Sequence, residues 1–197
     1  YTLKELKKSI ENQSDFLAGS DGWSTIFSEN HDLPRCVTRF GDTSPKFFEK
    51  SAKLLALMLT TLTGTLFIYQ GQEIGMTNVP RSWDISEYKD VNTLNYYEKY
   101  KKEHGEEEEK IDELMDSINL FARDNSRTPV QWDSSEHAGF STGTPWTKVN
   151  PNYKVINVEL QLENKNSVLA FYREVLRVRK EYKDLLIYGD FKILDND

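Results

Sequence analysis

Thr65-Leu66-Phe67-Ile68-Tyr69 runs without a break into Gln70-Gly71-Gln72-Glu73. The first five residues are apolar or β-branched and show no alternation, the pattern of a strand buried on both faces of a parallel sheet. The polar residues after it lie where such a strand would end. Just upstream, Phe47 to Leu62 reads as a strong helix. Ala52, Leu55, Leu59 and Leu62 share one face, with Leu54 and Met58 beside it. Gly64 is the expected stop. Further upstream, Trp23 to Phe27 is a second short strand, rich in aromatic and β-branched residues. It ends in Glu29-Asn30-His31-Asp32. A helix to about Asn12 precedes it, followed by the turn Gly19-Ser20-Asp21-Gly22. Thr2 and Glu5 have capping-box spacing, and Tyr1 and Leu6 complete a hydrophobic staple around them. Helix, strand, helix, strand, with each strand closing on polar residues, is the order of an α/β fold with a parallel sheet.

Downstream, about 76–165 reads as a long irregular region. It holds an acidic helical stretch and a Trp/Gly/Pro-rich stretch from Thr128 to Pro151. From Lys89 to Asp116 there are 5 Lys and 10 Asp or Glu, a net charge of −5 within the chain's −7. Consecutive glutamates lack the alternating ligands and fixed glycine of a calcium loop, so the stretch reads as a solvated helix face. Ser167 to about Leu186 is the last helix, with Val168, Phe171, Tyr172, Val175, Leu176 and Arg179 toward its buried side. Gly189 closes the unit, and Asp190 to Leu194 is expected to begin a strand of another domain. No internal repeat extends beyond the two helix–strand units.

The 197 residues are 38% hydrophobic and 29% charged. That allows a buried core and excludes wholesale disorder. The acidic balance gives no footprint for nucleic acid or an anionic membrane. No apolar run approaches the ~18 residues of a membrane span. One cysteine, Cys36, excludes an internal disulfide framework and a cysteine-based zinc cluster. The opening Tyr1-Thr2-Leu3 is neither a start methionine nor a leader, and the expectation is a chain that starts inside a domain.

Three polar clusters could carry chemistry. In Ser28-Glu29-Asn30-His31-Asp32, an ionised aspartate could face charge developing on a substrate, and His31 could donate to a hydroxyl. The same residues would also make an ordinary polar turn. In Tyr69 to Gly75, Glu73 is either an acid or base or, preferably, a buried structural carboxylate that pairs an arginine. Gly71 and Gly75 lack the lysine of a phosphate loop. In Phe121 to Trp132, Arg123 and Arg127 with Asp124, Gln131 and Trp132 suit a sugar. Arginine clamps hydroxyls and tryptophan lies against the ring face. An Arg–Asp network tying down a long loop fits equally well. No Gly-x-Ser-x-Gly elbow supports a serine triad, and three scattered histidines make no metal site.

Taken in order, the clusters resemble the α-amylase family of glycoside hydrolases, and within it the maltase, isomaltase and oligo-1,6-glucosidase subgroup of α-glucosidases. Phe27 to Asp32, with Arg35 and Arg39-Phe40 behind, resembles the family's fourth signature region. Gly64 to Gly75 resembles its eighth barrel strand. Arg123-Asp124-Asn125-Ser126-Arg127-Thr128-Pro129 with Gln131-Trp132 is similar to the α-glucosidase subgroup.

The resemblance implies the C-terminal part of a (β/α)8 TIM barrel, its last two βα units. Residues 1–188 would belong to the catalytic barrel, and 189–197 would start a C-terminal β-domain. A whole barrel needs about 250 residues. By the same resemblance, Asp32 is the transition-state-stabilising carboxylate. His31 and Arg123 bind the first glucose, while Arg35 and Arg127 support or line the pocket mouth. The implied reaction is retaining and exo-acting, on maltose, isomaltose, sucrose or short oligosaccharides. No cofactor or metal is implied for this stretch. The nucleophilic aspartate and the acid/base glutamate belong to strands that it lacks, so the stretch alone is expected to be inactive, and its bare edges make it prone to aggregate. Leu33 stands where several relatives have glutamine. The alternatives are a sucrose isomerase and a non-catalytic heavy chain of an amino-acid transporter. The expectation is a cytoplasmic enzyme, monomeric when intact; one sequon, Asn12-Gln13-Ser14, is weak support for secretion.

Overall fold

The computed structural model describes residues 2–17 and 19–194. Tyr1, and with it the expected staple, lies outside the described residues, as do residues 195–197. The capping box forms. Glu5 Oε2 accepts the Thr2 amide at 2.7 Å, and Thr2 Oγ1 accepts the Glu5 amide at 3.2 Å. The helix it starts, α1 (Leu3–Leu17), runs past Asn12 because no Gly or Pro interrupts it before the Gly19–Gly22 turn. Among the described residues its apolar side is poorly covered: Leu3 and Phe16 are exposed, and Leu6, Ile10 and Leu17 are only partly buried.

β1 (Thr25–Ile26) and β2 (Thr65–Leu66) pair in parallel, Thr25 opposite Thr65 and Ile26 opposite Leu66. Both strands are shorter than their apolar runs. Among the described residues each has one strand neighbour, so the ladder frays beyond the Thr65 amide to the Ser24 carbonyl and the Phe67 amide to the Ile26 carbonyl, both 2.9 Å. The expected burial on both faces is absent. Ile26 is buried and Ile68 packs on the helical core, but Phe27 and Phe67 are about half exposed.

Between the strands lie α2 (Cys36–Phe40) and α3 (Phe48–Thr61). Ala52, Leu55 and Leu59 are buried as the spacing predicts, while Leu62 is only partly covered because the helix has already ended. Gly64 therefore does not stop α3. At φ 114° it brings the chain against Ser24, where a Cβ would collide with the Ser24 hydroxyl and backbone. Arg179 closes the carbonyls at the end of α3 and just beyond it, donating at 2.7 Å to Thr60, Leu62 and Gly64.

Downstream, α4 (Val91–His104) and α5 (Glu108–Phe121) meet at Gly105, which has φ 91°. They show that 76–165 is not simply irregular. Val79, Trp83, Tyr88, Leu114, Met115, Ile118 and Ala122 form a buried cluster of their own there. Most of the charged face is solvated as expected, Asp90 excepted: Lys99–Glu103, Lys101–Glu106 and Lys110–Glu107 are surface pairs, worth little individually.

A short α6 (Val158–Glu163), capped by Asn157, leads to α7 (Val168–Glu181), capped by Ser167. Val168 and Tyr172 join Cys36, Val37, Ala52, Leu55 and Ala56 in the main core. The expected single last helix breaks at Tyr182 and resumes as α8 (Lys183–Leu186), with no Gly or Pro to mark the break. Residues 190–194 form no strand; within the described chain none lies alongside to pair with them. Among the described residues, no helix is long and apolar enough to cross a membrane.

Candidate active site

The loops after the two strands are tied together by a buried ion pair. Arg35 and Glu29 are each 1% exposed and meet at 2.9 Å. Glu29 also accepts the Cys36 amide at 2.6 Å, and Arg35 reaches across to the Gln70 carbonyl at 2.7 Å. This sharpens one expectation and corrects another. Arg35 supports the loops from behind, one of the two roles expected of it, and its enclosed guanidinium does not present itself to a ligand at the surface. Glu73 is not the arginine's partner. Glu29, six residues away on the same turn, takes that place, and Glu73 instead accepts the Gly71 amide at 2.9 Å.

Above this support the β1 loop exposes His31 and Asp32. Asn30 Oδ1 accepts the Asp32 amide at 2.8 Å, a turn that lifts the aspartate outward. Its carboxylate is about half exposed, with His31 Nε2 3.3 Å away. The turn Arg123–Ser126 comes over the same place, pinned by the Ser126 hydroxyl on the Leu33 carbonyl and by Tyr69, whose hydroxyl donates to the Ser126 carbonyl at 3.0 Å. Arg127 Nε donates to the His31 carbonyl at 2.9 Å. Arg123 and Arg127 then donate to Asp32 Oδ1 at 3.1 and 2.9 Å. Asp32, His31, Arg123 and Arg127, widely separated in sequence, thus form one cluster.

The sequence reading missed the other half of the network. Asp90 receives Arg123 at 3.0 Å and Arg127 at 2.5 Å. Burial pushes its carboxyl up, but the Arg123 hydrogen bond, the Asn92 amide and both guanidinium charges outweigh that and leave it below its usual value. Arg123 is raised, first by its hydrogen bond to Asp90. Asp90 stands before Val91 as a helix cap, and that was its only sequence signal. Asp124 is buried and structural, accepting the Lys89 and Asp90 amides. Gln131 is fully buried and donates to Asn152 and to the Ile156 carbonyl, so it does not face a sugar. Trp132 is about half exposed, on a turn where His137 and Ala138 adopt positive φ. Among the described residues, no three His, Cys, Asp or Glu side chains are grouped to hold a metal ion.

An exposed carboxylate between two arginines, with a histidine beside it, can bind hydroxyls and meet positive charge. The family model for the alpha amylase catalytic domain matches residues 1–189. The chain is 55% identical to an alpha-glucosidase of Candida albicans and 46% identical to an oligo-1,6-glucosidase of Parageobacillus thermoglucosidasius. All of the chain aligns in both cases, against 35% and 34% of those proteins, so it spans about a third of the length of these relatives. The crystal structure of isomaltulose synthase from Erwinia rhapontici NX5 superposes with a TM-score of 0.92 at 41% identity, over the whole chain and 34% of that protein.

Proposed function

The chain belongs to the alpha-amylase catalytic-domain family, and on that premise we propose that it forms the last two βα units of the (β/α)8 barrel of a retaining, exo-acting α-glucosidase. The observation that carries the proposal is the meeting of Asp32, His31, Arg123 and Arg127 at the carboxyl end of the parallel pair, where barrel enzymes place their chemistry. Asp32 faces the positive charge that builds on the sugar as the glycosidic bond breaks. A guanidinium has five N–H donors. The bonds described use two on Arg123 and three on Arg127. Arg123 therefore has more left for a glucose hydroxyl, with His31 donating to another, while Arg127 holds the loop.

The nucleophile and the acid/base residue sit on other strands of the parent, so the stretch alone is inactive. The concavity of about 330 Å³ lined by Thr25, Phe27, Phe67 and Tyr69 leaves room for inward side chains from the parent's other strands. Residues 1–188 are the barrel portion, with 76–165 as a large connection, and 189–197 lead into a β-domain. The intact protein is a cytoplasmic monomer acting on maltose, isomaltose, sucrose and short oligosaccharides.

The test is product analysis with the full-length protein on maltose, isomaltose and sucrose. Glucose should be released as the α anomer first, followed by NMR. A second reading, sucrose isomerase, is favoured by the likeness to isomaltulose synthase. Isomaltulose or trehalulose as the main product from sucrose would establish that reading and overturn the hydrolase. No turnover on any of the three sugars would point to a non-catalytic relative.

A further inference from the structure

We propose that Asp90, at the start of the acidic helical segment, is the positioning residue of this site: its carboxylate holds Arg123 and Arg127 so that both face Asp32. The inference rests on the α-glucosidase reading and adds a residue to it.

Two guanidinium groups bridge two carboxylates in a closed ring. Asp32 Oδ1 takes one nitrogen from each arginine, and Asp90 takes another from each. The ends of the ring differ. The Asp32 side chain is 48% exposed and that of Asp90 3%, so Asp90 is the anchored end and Asp32 the end open to a ligand. Asp90 is also fixed through its backbone. Its amide and that of Lys89 donate to Asp124 Oδ1 at 2.9 and 2.6 Å, and the Thr93 hydroxyl donates to Asp124 Oδ2 at 3.1 Å. Asp124 follows Arg123 directly, so the two turns are cross-linked twice. Capping α4 needs only one oxygen on the Asn92 amide, at 2.8 Å, and Ser, Thr or Asn would cap as well. The grip on two arginines goes beyond what the helix requires.

Charge supplies the reason. Asp32 and Asp90 balance Arg123 and Arg127. Remove Asp90's charge and the ring carries one net positive charge beside a sugar whose transition state is itself cationic. The charged and titratable groups facing Asp90 are Arg123 and Arg127, with Asp32 across the ring, Asp124 behind and His31 beyond Asp32. Lys89, its neighbour in sequence, turns its ammonium to the Ser86 carbonyl.

The experiment is steady-state kinetics across pH on the full-length protein with Asp90→Asn, Asp90→Glu, Arg127→Lys and Asp32→Asn. Asparagine still caps α4 but cannot balance two arginines. Asp90→Asn should lose about a hundredfold in kcat with a smaller change in KM. It should also move the acid limb of kcat/KM to lower pH, because losing a nearby negative charge eases ionisation of the site's carboxyls. Asp90→Glu should recover part of both effects. If the asparagine variant melts early, Arg127→Lys, which keeps the charge but cannot span two carboxylates, should show the kcat loss instead. Near-normal kcat with an unmoved acid limb, or a kcat loss with neither a pH shift nor rescue by glutamate, overturns the inference. If Asp32→Asn is inactive while Asp90→Asn is normal, this inference alone fails. If Asp32→Asn turns over normally, the α-glucosidase site itself is wrong.

Discussion

Glu29→Gln removes one negative charge and almost no volume. The cost follows from burial. Both partners of the Glu29–Arg35 pair are 1% exposed, so water cannot replace the lost carboxylate around Arg35. The Gln70 carbonyl and the Met76 sulfur remain near the guanidinium, but neither carries a charge to balance it. The charge-assisted bond from the Cys36 amide weakens as well. Breaking a buried pair by changing one partner costs about 3–5 kcal/mol. At the lower end that is more than about a hundredfold in the folded-to-unfolded ratio. The assay is equilibrium urea unfolding of the full-length protein, read by tryptophan fluorescence, for Glu29→Gln, Arg35→Met and the double variant. Each single change should cost that amount, and the double should cost clearly less than their sum, because it leaves no unpaired charge. A Glu29→Gln variant within about 1 kcal/mol of wild type, or strictly additive changes, would refute the buried-charge argument.

Gly71→Ala should destabilise by about 1–3 kcal/mol. Its φ is 88°, and a Cβ there would strike the Met76 sulfur and press on Arg35; an unchanged melting temperature would remove the need for glycine. Burial raises the Glu73 carboxyl above its ordinary 4.5, against the pull of its own amide, the Gly71 amide and Arg35. The native state therefore binds that proton more tightly than the unfolded chain. Stability should fall as pH rises from 4.5 through the folded value, then level off. Glu73→Gln should gain most over wild type at neutral pH and little at pH near 4; thermal midpoints showing the larger gap in acid would contradict this. Burial, then the Glu29 charge, pushes the Cys36 thiol well up. In peptide-mapped alkylation Cys36 should label only once the protein is unfolded, and rapid labelling of the native protein would show that the loop opens.

What was legible in the sequence depended on how local its cause was. The Thr2/Glu5 cap and the stripe Ala52, Leu55, Leu59 act within one or two turns, and both form. The parallel pairing followed from apolar runs that end in polar residues. Strand length was not local. Thr65 to Tyr69 has the composition of a strand covered on both faces, but with one neighbour only Thr65 and Leu66 stay paired. In the site, residue type and clustering made Asp32, His31, Arg123 and Arg127 candidates, with a plain polar turn or a structural Arg–Asp network fitting equally well, and their roles came from the family resemblance. Arg35 could not be assigned to surface or interior, because an arginine before a helix fits either and only the position of Glu29 decides. Asp90 was hidden in a run of acids whose other members are solvated. Its burial comes from the turn that brings Arg123 and Arg127 across from thirty-odd residues away.

The central claim is that the Asp32 carboxylate works on a charged sugar, and kcat of Asp32→Asn in the full-length protein tests it most directly. The charge and hydrogen bonds that asparagine cannot supply should cost roughly 3–4 kcal/mol of transition-state stabilisation, several-hundredfold in turnover, with the melting temperature little changed. Turnover equal to wild type, from a folded variant, would contradict the account.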